Sequence, residues 1–438
     1  MYLKQQILNL ATSQPDCAMQ NYTILKELGS GTYGTVYQAV HNQTRQIVAI
    51  KQIHQKTSWN EAKNLVELKS FKKIRAHPNI VTLHELFREK DGTLYFVFEL
   101  INQGSLYDYI LKCQRVNRPP TENEIKAIGY QFLVGLAHIH NNSFIHRDLK
   151  LENVLMQADD SLPNLAINLQ QSSQPLIPKI ADLGCAKETR VRFANNTLYT
   201  GTRWYRSIEL LMRDTTYGKP NDVWAVGCIL IELFTLRPLF AGQSELDMLH
   251  LILQQLGPLY ENEWPDYQTL AGKMNFVSTV QLSSTKYTTG ASHTRIKDRL
   301  TQVLKNASSD FVDCVSYMME LSPDRRWDCN QLLNHPWFKS ESLRTGLSFG
   351  TTQKPPTPTK ERVSPEGNST LNKAKQLMSK HTPSVDFDST QTFDIDVKPV
   401  RSQSTGVNVN KTIQSTKQML GDNKELDANL DMLDDMDY

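Results

Sequence analysis

Six cysteines lie scattered through 438 residues with no CxxC pair among them. That excludes a disulfide framework or a regular zinc site and points to free thiols in a reducing compartment. Excess charge of one sign is lacking too. Forty-eight Lys and Arg against 46 Asp and Glu leave a net charge of +2, so nothing in the bulk draws the chain to nucleic acid or an anionic membrane. Long hydrophobic runs are missing. The most apolar stretch, "VWAVGCILIELF" (223–234), is too short to span a bilayer and carries Glu232, which predicts a buried helix. In "MYLKQQILNLATSQPDC", Lys4, Gln5, Gln6 and Asn9 break any signal-peptide core. No internal repeat is visible. The expectation is a soluble, intracellular, monomeric protein with no nucleic-acid partner and no membrane insertion.

What is present is 39% hydrophobic residues, enough for a sizeable core. From 22 to about 101 the pattern is strand-rich. "YTILKELGSGTYGTVYQAV" and "QIVAIKQI" flank the turn region "HNQTR", and "NIVTLHELF" and "TLYFVFEL" flank "KDG". Between these pairs, "NEAKNLVELKSFKKI" carries Ala62, Leu65, Leu68, Phe71 and Ile74 at helical spacing. From about 102 to 338 helical patterns dominate. The Gln-, Ser- and Pro-rich stretch 157–178 reads as a long loop inserted between two apolar strands. Residues 1–21 form an N-terminal extension. In 339–438 Ser, Thr, Gln, Asn, Lys and Asp take over, which predicts a disordered tail. Its end, "ELDANLDMLDDMDY", is either a motif that folds on a partner or a solubilising tail.

"LGSGTYGTV" (28–36) has the spacing Gly29-x-Gly31-x-x-Gly34. Glycine lets backbone come close to phosphate oxygens. No helix pattern follows, so the dinucleotide turn is a poor match and a strand–turn–strand flap fits better. Leu28, Gly29, Ser30, Gly31, Thr32, Tyr33, Gly34, Thr35 and Val36 are therefore nucleotide-covering candidates, with a plain hairpin as the alternative. Lys51 ends "VAIK", two residues after Ala49. A lysine at the end of an apolar run needs a partner, because a bare buried ammonium is costly. It would bridge ATP phosphates and a carboxylate on the next helix. Glu67 is the candidate carboxylate, and a surface pair of Glu67 with Lys63 is the alternative.

"HRDLKLEN" (146–153) sits between the apolar stretches "FLVGLAHIHNNSFI" and "VLM". Asp148 would accept the proton of an incoming hydroxyl, Lys150 would neutralise charge on a transferring phosphoryl group, and Asn153 would hold a metal ion. About thirty residues on, Asp182 of "IADLG" ends another apolar strand and would make the second Mg2+ contact. Phosphoryl transfer works mainly through positioned charge, which suits this spacing of acid, lysine and amide.

With these motifs in this order, residues 22–338 resemble the eukaryotic protein kinases, implying a bilobal α+β fold with a small β-rich lobe (about 22–101) and a larger helical lobe (about 102–338). "NTLYTGTRWYR" (196–206) resembles the activation segment of the CMGC branch. "VELKSFKKIRAHPNIVTLHELFREKDGTLYFVFEL" and "DVWAVGCILIELFTLRPLF" are similar to the RCK kinases, the male germ cell-associated and intestinal cell kinases. The resemblance implies ATP and Mg2+, protein substrates with Ser/Thr-Pro sites, an upstream activating kinase, and a cytoplasmic, nuclear or ciliary location. It implies a gatekeeper at Phe98, hinge groups at Glu99 and Ile101, and dual phosphorylation at Thr197 and Tyr199. Arg147 would meet the Thr197 phosphate, helped by Arg190 and Arg192. Thr202 would bond to Asp148 and Lys150, Asp222 would brace the catalytic loop, Glu209 would pair with Arg326, and Arg206 would favour proline after the target.

Several positions depart from the family pattern. Leu183 stands where DFG has Phe, and Leu151 where the branch has Pro. Ser207 and Ile208 stand for Ala and Pro, and Trp327 for a common Pro. None removes a catalytic group. A silent kinase-fold scaffold is the alternative to a serine/threonine kinase, and Lys150 speaks against tyrosine specificity. Thr357-Pro358, Ser364-Pro365 and Thr382-Pro383 in the tail are candidate phosphosites.

Overall fold

Strand residues with β-branched and aromatic side chains favour a pleated surface whose two faces differ, and this chain opens with such a surface. The computed structural model describes residues 18–31, 34–62, 64–158, 176–188, 203–260, 263–274, 276 and 292–339. Five antiparallel strands, β1 (Tyr22–Gly31), β2 (Gly34–His41), β3 (Ile47–Ile53), β4 (Leu83–Arg88) and β5 (Leu94–Glu99), lie in the order β1-β2-β3-β5-β4. On β3, Val48 and Ile50 point to the outer face, where they pack with Ala39, Phe87 and Val97. Ala18, in the one-turn segment Ala18–Asn21, covers that small core. Ala49 and Lys51 point the other way and pair in register with Phe98 and Phe96. The period of two therefore delivers Lys51 to the inner face, beside the main core.

The helix expected across 60–74 forms in two pieces. One turn runs Trp59–Ala62, and α1 spans Val66–Lys73. Two local features explain the break. Ser58 and Glu61 exchange side-chain-to-backbone hydrogen bonds that start a turn there. Asn64 bonds back to the Asn60 carbonyl, and Leu65 is extended, with φ −57° and ψ 132°. The restart places Leu68, Phe71 and Ile74 in the core.

In the larger lobe, α2 (Leu106–Arg115) and α3 (Glu122–Asn141) each begin with a reciprocal capping box, Ser105 with Asp108 and Thr121 with Glu124. The apolar run at 223–234 lies in α4 (Lys219–Thr235), where Val223 through Leu233 are buried. It packs against α3 and against α7, with α5 (Glu245–Leu256), α6 (Ser292–Val303) and α7 (Ser309–Met318) completing the helical layer. Among the described residues, no helix is long and apolar enough to cross a membrane. Lys339, expected to open the tail, closes the last turn, Pro336–Lys339.

Four short strands carry the loops between the lobes: β6 (Phe144–Ile145), β7 (Val154–Ala158), β8 (Leu176–Ile180) and β9 (Lys187–Glu188). The expected loop 157–178 is narrower than its composition suggested. Gln157 pairs with Ile177, Ala158 with Leu176 and Met156 with Pro178. Backbone pairing carries the hairpin two residues into the polar stretch from one end and three from the other. The rest of that stretch, 159–175, lies outside the described residues.

β8 also joins the lobes. Ile180 N–H donates to the Asn79 carbonyl at 2.8 Å, and Val81 N–H donates to the Ile180 carbonyl at 2.9 Å. Asn79 Nδ2 reaches the Pro178 carbonyl at 3.1 Å. Gly135 on α3 permits this approach: a Cβ there would meet the Asn79 backbone oxygen at 2.9 Å.

Candidate active site

Lys51 stands between two carboxylates. Its Nζ lies 3.1 Å from Glu67 on α1 and 3.2 Å from Asp182. The pairing of Glu67 with Lys63 is not needed to explain this acid, since Glu67 is buried and turned inward; Lys63 itself lies outside the described residues. Burial works to lower the Lys51 ammonium, but the charges of Glu67 and Asp182 outweigh it and hold it above its usual value. Burial pushes the Asp182 carboxyl up, and Lys51 more than reverses that, leaving it below the usual carboxylate range. Asp182 adopts a left-handed backbone, φ 57° and ψ 73°, and its side chain accepts from the Gly184 N–H. Such a conformation is costly for a non-glycine residue and marks a constrained site.

The loop 146–153 is held from beneath. Asp222, buried at the start of α4, accepts from the N–H groups of His146 and Arg147, each at 2.8 Å, and from His140 Nε2 at 2.9 Å. Burial raises its carboxyl, yet these hydrogen bonds, led by His140, keep it below the usual value. Arg147 has φ 73°, and its Nε donates to the Cys185 carbonyl. The Asp148 N–H donates to His146 Nδ1, so His146 Nε2 carries the proton it shares with the Ala181 carbonyl at 2.9 Å. Ala181 N–H in turn donates to the Asn153 carbonyl at 2.9 Å. Those two bonds lock the loop to the residue beside Asp182. Lys150 Nζ sits 3.2 Å from Asp148. Asn153 Nδ2 donates to the Asp148 carbonyl and to its Oδ2 at 3.1 Å, which leaves the Asn153 oxygen available.

Residues 29–31 belong to β1 and face β2, with Gly29 opposite Val36 and Gly31 opposite Gly34. The glycines differ in purpose. A Cβ at Gly34 would strike the Gln52 carbonyl oxygen at 2.2 Å, so this glycine is required by packing. Among the described residues, a Cβ at Gly29 or Gly31 would meet no atom within 4 Å apart from its chain neighbours, as a phosphate-covering flap requires. Leu28 is exposed, while Val36 and Ala49 are partly buried. Phe98 packs against Phe71 of α1 with ring centroids 5.6 Å apart. At the expected hinge, Glu99 N–H is taken by the Thr82 carbonyl at 3.0 Å, and Glu99 Oε1 accepts from Lys179 at 3.0 Å. Ile101 follows two residues on. The donor set fits a hard cation and a triphosphate: one carboxylate at Asp182, one amide oxygen at Asn153 and one ammonium at Lys51. Mg2+ is commonly held in this way, by one or two protein oxygens together with phosphates.

On the far side of Asp148, Glu209 and Arg326 meet as a two-pronged pair at 2.8 and 3.2 Å, both side chains almost fully buried. Arg206 is buried, with its guanidinium 3.7 Å from Glu245. Tyr205 donates to Glu232 at 2.9 Å in the core. Burial pushes the Glu232 carboxyl up to about 7, against the pull of the Tyr205 hydroxyl, and Glu152 adds to the rise. Because this value exceeds that of an unfolded glutamate, the contribution to stability is full in acid and lost as pH rises through about 7. Denaturation of Glu232→Gln alongside the wild type tests this. The wild type is expected to lose on the order of 2 kcal/mol relative to the variant between pH 5 and 8. A difference independent of pH would refute it.

Thr32, Tyr33, Arg190, Arg192, Thr197, Tyr199 and Thr202 lie outside the described residues. Several site residues had no signal in the sequence reading. Lys187 on β9 is near enough to Arg147 that burial and that charge together push its ammonium down. Lys179, His140 and Tyr205 also escaped notice, and Glu232 was read only as the charge in a buried helix, because each is defined by a partner 27 or more residues away.

A family model described as "Protein kinase domain" matches residues 22–338. The chain belongs to the protein kinase family. It is 38% identical over 348 residues to the serine/threonine-protein kinase ICK of Rattus norvegicus, covering 79% of this chain and 49% of that protein. It is 39% identical to the serine/threonine-protein kinase MAK of Mus musculus, over 73% of this chain and 46% of that one. The cyclin-dependent kinase F-3 of Oryza sativa subsp. japonica is 36% identical over 73% of this chain and 65% of its own length. The chain thus spans about half the length of the ICK and MAK relatives it matches. The bilobal α+β class and the RCK-type CMGC resemblance read from the motifs agree with these findings.

Proposed function

We propose that this chain is a serine/threonine protein kinase that moves the γ-phosphoryl group of ATP to a hydroxyl of a protein substrate. The observation that carries the reading is the convergence of Lys51, Glu67 and Asp182 with a loop that holds Asp148, Lys150 and Asn153, the two being tied through Ala181. Bound Mg2+ would supply positive charge against the phosphate oxygens, held by Asp182 and Asn153. Lys51, fixed by Glu67, presents its ammonium to the phosphates. Gly29 and Gly31 let backbone N–H groups approach them. The hinge at Glu99 and Ile101 takes the adenine edge, with Phe98 behind it and Leu28, Val36 and Ala49 as apolar walls. The substrate hydroxyl oxygen bonds to phosphorus while the bond to ADP breaks, and the hydroxyl proton passes to Asp148. Lys150 offsets charge on the moving group. Almost all of this is positioning and electrostatics, as phosphoryl transfer demands.

The finer parts of the reading rest on fewer supports. Buried Arg206 beside the Asp148 loop favours proline after the target, since proline brings no N–H that would go unpaired. Arg147 and Lys187 place two cations beside the start of the activation segment, where a phosphate on Thr197 would order the chain. The test is transfer of labelled phosphate from ATP to a Ser/Thr-Pro peptide by the purified chain, with Thr197 and Tyr199 phosphorylated by an upstream kinase. Transfer is expected with Mg2+, is lost on chelation, and returns when the metal is restored. If the phosphorylated chain binds nucleotide and transfers nothing, the silent scaffold is the better reading.

A further inference from the structure

Three polar side chains link the strands that make the flap. Ser30 on β1 lies opposite Thr35 on β2, and Thr35 lies opposite Gln52 on β3. Val36 is paired with Lys51, so the period of two turns Thr35 to the outer face, away from the Lys51 ammonium. There Thr35 Oγ1 lies 3.0 Å from Ser30 Oγ and 3.0 Å from His54 Nε2, just past the end of β3. A hydroxyl both donates and accepts, so it serves both neighbours with either tautomer of the histidine. Thr35 is 8% exposed, while Ser30 and His54 are exposed. The buried hydroxyl is thus the middle link of a chain that runs from β3 through β2 to β1. Ser30 sits between Gly29 and Gly31, where the backbone has the most freedom to lose. The contact of Gly34 with the Gln52 carbonyl already fixes β2 to β3, and the side-chain links extend that attachment to the glycine-bearing strand.

We propose that Thr35 and His54 are positioning residues that brace the flap from its outer face. Through Ser30 they hold the backbone N–H groups around Gly29 and Gly31 at the height that phosphate oxygens require. A segment already ordered in its binding conformation loses less freedom when the ligand arrives, which strengthens binding. The gain falls on the phosphates, since the hinge that takes the adenine edge lies on β5 and beyond it. The inference rests on the kinase reading above for what lies beneath the flap.

Calorimetric titration of the full chain with a non-hydrolysable ATP analogue and Mg2+, and separately with adenosine, tests it. Thr35→Val and His54→Ala are each expected to weaken the analogue by about fivefold, the ratio a single hydrogen bond supports, with adenosine affinity unchanged. His54→Gln, whose amide nitrogen reaches the place of Nε2, is expected to recover most of the loss. The double variant Thr35→Val with His54→Ala is expected to bind no more weakly than Thr35→Val alone. Unchanged analogue affinity, an equal loss for adenosine, no recovery in His54→Gln, or independent losses in the double variant would overturn the assignment. If the wild type binds neither ligand, the kinase reading is what fails. Hydrogen exchange of residues 28–36 in the nucleotide-free chain then decides the brace by itself. Exchange is expected to be about fivefold faster in Thr35→Val than in the wild type, and equal rates would sink it.

Discussion

Asp148→Asn is expected to lower kcat for peptide phosphorylation by roughly 10²–10⁴-fold, the range for losing a positioned general base. The substitution keeps the shape of the side chain and removes its ability to take a proton. It also changes the local charge. Lys150 Nζ at 3.2 Å and Asn153 Nδ2 at 3.1 Å both aim donors at Asp148 Oδ2, and an asparagine can satisfy them with one oxygen only. Nucleotide affinity is expected to stay within about threefold, because the groups assigned to the phosphates are Lys51, Asp182 and the flap glycines. Steady-state kinetics with separate nucleotide-binding measurements check both halves. A variant within tenfold of wild-type kcat would remove Asp148 from the chemistry.

The largest stability effect is expected at Arg326. Its guanidinium holds Glu209 with two hydrogen bonds, donates to the Pro220 carbonyl at 2.8 Å and to the Glu320 carbonyl at 3.0 Å, and lies over the Trp224 ring at 5.0 Å. Arg326→Leu leaves Glu209 buried without its cation and strips two carbonyls of donors. Breaking a buried pair from one side costs about 3–5 kcal/mol, a large part of the 5–15 kcal/mol typical of a domain. Chemical denaturation would report it. The double variant Glu209→Met with Arg326→Met is expected to be less damaged than Arg326→Leu, because no orphan charge remains. A loss under about 1 kcal/mol in Arg326→Leu would contradict the role given to the pair.

The residues of the nucleotide side were legible because they come in fixed local order: a glycine pattern before a strand, a lysine at a strand end, an acid, a lysine and an amide within six positions. Strand-rich runs and the apolar stretch 223–234 likewise marked the β-rich lobe and the buried helix that is α4. Polar pairing across long separations stayed hidden except where the resemblance implied it, as for Glu209 with Arg326 and Asp222 with the 146–147 loop. Ser207 reads only as a departure at a position where the family has Ala, and only the fold reveals that its hydroxyl goes to Asn221. Glu232 reads as a blemish in an apolar run until Tyr205 is seen to meet it. The break at Asn64 and Leu65 was missed because apolar spacing continues across it while the backbone does not. The 157–178 stretch looked like loop throughout because composition cannot register strand pairing between Ala158 and Leu176.

The hydrogen bonds that join Asn79 and Val81 to Ile180 give the molecule an axle. Backbone on both sides of it is fastened to β8, and Lys179 and Ile180 lie only two or three positions before Asp182. Were the cleft to widen or narrow, these bonds would keep 79–81 with the larger lobe while the sheet turned about them. Glu67 and Lys51 would then ride on the turning part and Asp182 on the fixed part, so the gap across Lys51 would gauge the angle.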